Sequence, residues 1–112
     1  MISIKYTLTQ GMDGAGTHTE CEMTTGPRNL IKVAEAFDSV RDRLKAAYGN
    51  VGCGRVWVEI DGVEVSESEL KKVTRQDYDI DLRDYKDGVR SSKPDSLTIR
   101  ANELIADARE AA

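Results

Sequence analysis

Arg55-Val56-Trp57-Val58-Glu59-Ile60-Asp61-Gly62-Val63-Glu64-Val65 is the stretch that decides the fold. Apolar and polar residues alternate on both sides of Asp61-Gly62, a dipeptide that tolerates the positive φ angles of a two-residue hairpin turn. A two-residue loop sets Ile60 opposite Val63, Glu59 opposite Glu64 and Val58 opposite Val65. Val58, Ile60, Val63 and Val65 therefore point to one side and Trp57, Glu59 and Glu64 to the other.

A second hairpin precedes it. Ile2 to Gln10 alternates with Ser3, Lys5, Thr7 and Thr9 outward, Gly11 to Gly16 supplies a glycine-rich loop, and Thr17 to Thr25 resumes the alternation. Thr19, Cys21 and Met23 share one face of that strand. Between the hairpins, Gly26-Pro27 opens a helix in which Leu30, Val33, Phe37, Val40, Leu44 and Tyr48 recur at helical spacing, until Gly49-Asn50 ends it. Ile31 falls among the polar residues of this helix.

Beyond Val65, Ser66 and Glu69 have the spacing of a capping box, which starts a short helix running to about Arg75 with Leu70 and Val73 apolar. Asp77 to Tyr85 reads as a strand through Tyr78, Ile80 and Leu82, with a helix as the alternative through Tyr78, Leu82 and Tyr85. Asp87-Gly88 and Ser91 to Pro94 mark a loop. Leu97, Ala101, Leu104, Ile105 and Ala108 then form one helical stripe with Ile99 off it; Leu97-Thr98-Ile99 could instead be a short strand before a helix from Ala101. The ββαββ order predicts an α+β fold, an antiparallel sheet of two hairpins with a long central helix and a C-terminal helix on one face. Residues 1–112 are expected to form one domain.

Leu, Ile, Val and Phe make up 24 of 112 residues, which is enough for a thin core. No apolar run is long enough to cross a bilayer, and no signal peptide is read at Met1. Two cysteines do not make a disulfide framework, so a cytoplasmic location is expected with both as thiols. A net charge of −4 argues against general nucleic-acid binding.

Each constellation that could carry chemistry meets an objection. His18 and Cys21 have HxxC spacing, but residues three apart on a strand face opposite sides, so His18 is expected in solvent and Cys21 in the core. Cys53 lies between Gly52 and Gly54 as a nucleophile candidate for a thiol-dependent enzyme, yet the only His is on the first hairpin. Asp77, Asp79 and Asp81 resemble the start of a calcium loop but lack the glycine and glutamate it needs at Leu82 and Gly88. No Lys-Ser or Lys-Thr follows the Gly11 to Gly16 loop, which leaves it without the makings of a phosphate cradle. Lys32, Arg43, Lys86, Arg90, Lys93 and Arg100 could form a basic strip for nucleic acid, but no aromatics are interleaved with them.

Acidic bias is the strongest remaining signal. Glu59, Asp61, Glu64, Glu67 and Glu69 occur with no Lys or Arg between them, and Glu59 opposite Glu64 is a like-charge pair that needs a nearby cation or a function. In one shared sheet, Glu20, Glu22, Glu59 and Glu64 would surround Trp57 on the outward face. This predicts a non-enzymatic protein-binding module, a regulator or an inhibitor of the kind a virus or mobile element encodes. Its contact residues would be Trp57, Glu59, Glu64, Glu20, Glu22, Asp61 and Glu67, and its partner a protein with a basic surface. Neutralisation of the pair by Lys5 or Arg55 is the simpler alternative. No cofactor, metal or membrane is expected, nucleic acid is disfavoured, and a homodimer through Ile31 and Ile99 is a weaker second reading.

Overall fold

The computed structural model describes residues 1–9, 16–74, 85–86, 89–90 and 96–111. Its elements are β1 (Ile2–Leu8), β2 (Gly16–Met23), α1 (Pro27–Gly52), β3 (Cys53–Ile60), β4 (Val63–Val65), α2 (Glu67–Lys71), β5 (Tyr85–Lys86), β6 (Val89–Arg90) and α3 (Ser96–Ala111). β1 to β4 form one antiparallel sheet in the order β2-β1-β3-β4, and β5 pairs with β6 in a separate two-residue ladder. This is the α+β arrangement expected, with both long helices on one face. No described helix is long and apolar enough to cross a membrane.

Both hairpin strands feed the same core. Ile2, Ile4, Val58 and Ile60 are at most 1% exposed and meet Leu30, Val33 and Phe37 of α1, Val73 after α2, and Ala101, Leu104 and Ile105 of α3. Each aliphatic side chain buried this way contributes about 1.5–3 kcal/mol relative to exposure. The β3–β4 register is Ile60↔Val63, Glu59↔Glu64 and Val58↔Val65, and Asp61 and Gly62 take φ of 50° and 87° as a two-residue hairpin turn demands. Gly49, at φ 73°, interrupts the helical dihedrals of α1, and the Cys53 N–H bonds to its carbonyl. Gly54 lets β1 run close to β3, since a Cβ there would press into Thr9 Cγ2 and Thr7 Oγ1.

Two expectations change. The β1–β2 register slips between Ile4 and Lys5, whose partners are Cys21 and Thr19, so Glu20 is the extra residue of a β-bulge. The bulge resets the alternation: Cys21 and Met23 pack against the core, Thr19 moves to the outer side with Lys5, and His18 comes opposite Tyr6 on the helix side. His18 is consequently not the solvent-facing residue that a regular strand predicts, and its ring stacks on Tyr6 with centroids 5.2 Å apart. Ile31 is also not surface: it is 8% exposed, because the core that α1 shares with α3 and the sheet reaches round to it. Ile99 does stay exposed, at 46%. Of the two readings of Leu97-Thr98-Ile99, the helical one holds, since α3 is helical from Ser96. The strand reading of Asp77 to Asp84 and the Gly11 to Ala15 loop lie outside the described residues.

Candidate functional site at the Trp57 corner

The outward side of the sheet carries no helix among the described residues. Its centre is read from the β1–β3 register, Ser3↔Glu59, Lys5↔Trp57 and Thr7↔Arg55, with β4 adding Glu64 beside Glu59. Residues two apart on a strand share a face, so the indole of Trp57 reaches Glu59: Nε1–H donates to Oε2 at 2.7 Å. Lys5, the cross-strand neighbour of Trp57, donates from Nζ to the other oxygen of Glu59 at 3.1 Å. Ser3, in register with Glu22 on one side and Glu59 on the other, is buried.

Arg55 completes the corner. Its guanidinium carbon lies 5.0 Å from the centre of the Trp57 ring, and its Nη2 forms an ion pair with Glu64. The opposed glutamates of the hairpin are thus each supplied with a cation, Glu59 with Lys5 and Glu64 with Arg55. Burial disfavours the charged form of Glu59, but the indole N–H and the Lys5 ammonium outweigh it and hold the carboxyl below its usual range.

Beside this corner lies a cleft of about 430 Å³ where β3, β4 and α1 converge. β4 pairs only with Val58, Glu59 and Ile60, so the Gly54 to Trp57 half of β3 has no strand on that side among the described residues. Trp57, Glu64 and Glu67 line the cleft together with Arg41, Lys45 and Arg55. Arg41 spans from α1 to Glu67 at 3.1 Å and to Asp38 at 2.8 Å, and its guanidinium lies over the Phe37 ring.

The structure brings together Trp57, Glu59, Glu64 and Glu67 and leaves the other expected residues apart. Glu22 is on the outward side but on the far strand, β2. Glu20 does not join the outward face: the bulge turns it toward the helix side, where it pairs with Arg43 of α1. Asp61 sits in the hairpin turn and binds the Met1 ammonium, Thr25 and Arg109 instead of Trp57.

Cys53 is 7% exposed in a small cluster with Tyr6 and Leu44, so its thiol is packed in the core. Tyr6 is itself pushed above its usual range, first by burial and then by a hydrogen bond with Tyr48. In the basic strip, Lys32 is exposed, Arg43 is engaged by Glu20, Arg100 is on α3, and Lys93 lies outside the described residues. No group of three His, Cys, Asp or Glu among the described residues is placed to hold a metal ion.

Sequence reasoning named Lys5 and Arg55 only as possible neutralisers and passed over Arg41 and Lys45. The signal for Lys5 was its outward place in the Ile2 to Thr9 alternation; its partner depended on β1 lying beside β3, which no local pattern encodes. No protein-family model, curated protein or solved structure matches this chain.

Proposed function

We propose that this chain is a non-enzymatic protein-binding module, a regulator or inhibitor of another protein, and that the Trp57 corner is its contact surface. The observation that carries the reading is a half-buried tryptophan fixed by Glu59 and Arg55, on a sheet side that the described helices leave open. An aromatic held in one orientation loses little entropy when a partner covers it, which suits it to be an anchor. The partner is a protein with a basic rim. Its cations exchange with Lys5, Arg55 and Arg41 on carboxylates that are already oriented, so charge contributes selectivity and association rate while Trp57 contributes affinity.

The test uses a partner captured from the native host, identified, and titrated in purified form. Trp57→Ala is expected to weaken binding at least about tenfold, roughly 1.4 kcal/mol. Glu59→Lys combined with Glu64→Lys is expected to slow association, with an effect that shrinks as salt rises. Unchanged binding in both variants, with melting curves showing them folded, would place the contact elsewhere.

A further inference from the structure

Along β3 and into its turn, successive residues direct their backbone groups to opposite sides. The Asp61 N–H donates to the Met1 carbonyl at 2.8 Å, which sets Asp61, Glu59 and Trp57 toward β1 and leaves Ile60, Val58 and Val56 facing the other way. Ile60 and Val58 meet Val63 and Val65 of β4. The chain then leaves the sheet at Ser66 for α2, and the N–H and C=O of Val56 have no partner among the described residues.

The cleft of about 430 Å³ opens opposite Val56. Its two carboxylates are already met, Glu67 by Arg41 and Glu64 by Arg55. Lys45, exposed on α1 and lining the same cleft, is engaged by no carboxylate among the described residues. The cleft thus holds an open strand edge and one uncommitted cation, the makings of a strand-addition site with a charge preference. We infer that it receives an extended segment of another protein that adds to β3 at Val56 and carries Glu or Asp at the residue opposite. Cross-strand partners share a face of the sheet. Val56 has its side chain on the helix side, packed against the core, so the residue opposite it projects toward α1, where Lys45 stands. The neighbours of that residue project outward, beside Trp57 and Arg55. A basic residue in the central place would meet Lys45 with both cleft carboxylates already engaged, so charge selects against it. This inference goes beyond the Trp57 reading, since it holds for a partner that never covers the indole.

The probe is a fluorescein-labelled, capped pentapeptide, Thr-Val-Glu-Val-Thr, whose β-branched residues favour the extended form, followed by anisotropy against the full chain. Saturable binding is expected with a dissociation constant below about 1 mM, and binding at least about tenfold weaker for the peptide with Lys in place of Glu. N-methylation of the central glutamate removes the N–H that the Val56 carbonyl accepts without altering the protein, and is expected to weaken binding by about as much. Lys45→Glu, at an exposed position, is expected to reverse the preference between the Glu and Lys peptides. A lack of saturation up to about 1 mM peptide overturns the inference. So does equal affinity for the N-methylated peptide, which would leave no strand pairing, or an unchanged preference in Lys45→Glu, which would leave no role for that cation. The two readings fail separately. A pentapeptide that does not bind removes this site alone, and a captured partner indifferent to Trp57→Ala and to the paired glutamate substitutions removes the corner reading alone.

Discussion

Asp61 ties three distant parts of the chain to one carboxylate. It occupies the first position of the hairpin turn at φ 50°, accepts from Thr25 Oγ1 at 2.7 Å and Arg109 Nε at 3.5 Å, and binds the Met1 ammonium. The hydrogen bond from that ammonium is the main reason its pKa falls from 3.8 to about 2, with Thr25 and Arg109 adding to it. A depressed carboxylate pKa contributes stability that is present in full above the unfolded value and is lost as pH falls toward the folded one. Asp61→Asn keeps a residue that accepts positive φ but removes the charge. It is expected to lower the melting temperature at neutral pH, with the gap to the parent closing between about pH 4 and pH 2. A gap that persists at pH 2 would mean that turn geometry, not charge, made the difference. Asp61-Gly62 was legible as a turn because its chemistry is local. Its partners stand 60, 36 and 48 residues away, and no pattern in the sequence joins them.

At the scale of the element, periodicity accounts for what could be read and pairing for what could not. α1 and α3 show their buried stripes at helical spacing, and the β3–β4 register follows from its turn, so these elements were legible in the sequence. β2 was legible only as a strand. Thr17 to Met23 alternates without interruption in the sequence, and Glu20 becomes the extra residue only when β2 is laid against β1. That single residue decides that Glu20 leaves the outward face and that His18 joins Tyr6. The break at Gly49 was legible because Gly49 needs no partner to exert its effect, although α1 resumes beyond it and ends at Gly52 rather than at Gly49-Asn50. Its φ of 73° is unfavourable for any residue with a Cβ, while the space around it is open. Gly49→Ala should therefore cost about 1 kcal/mol by chemical denaturation, from backbone strain alone. A loss well beyond that would point to a steric role, and no loss would mean that position 49 takes helical dihedrals and the kink in α1 straightens when glycine is removed.

The whole molecule divides its labour between the two faces of one sheet. Helices α1 and α3 cover one face, and the other holds the Lys5, Arg55, Trp57, Glu59 and Glu64 network, in which Lys5 meets Glu59 only because β1 lies beside β3. If the packed face carries stability and the charged face is available for recognition, substitutions on the two must separate. Ile60→Ala empties a fully buried site and is expected to cost about 2–5 kcal/mol, a large share of what a domain this size possesses. Glu59→Gln sits next to it in sequence and on the opposite side of the sheet. It keeps an oxygen for the Trp57 indole and gives up only the attraction of Lys5, so it is expected to change stability by no more than about 1 kcal/mol. Denaturant titrations of both variants under one condition decide the matter. A Glu59→Gln loss as large as that of Ile60→Ala would make the network part of what holds the fold, and a surface the fold depends on cannot exchange its ion pairs with a partner.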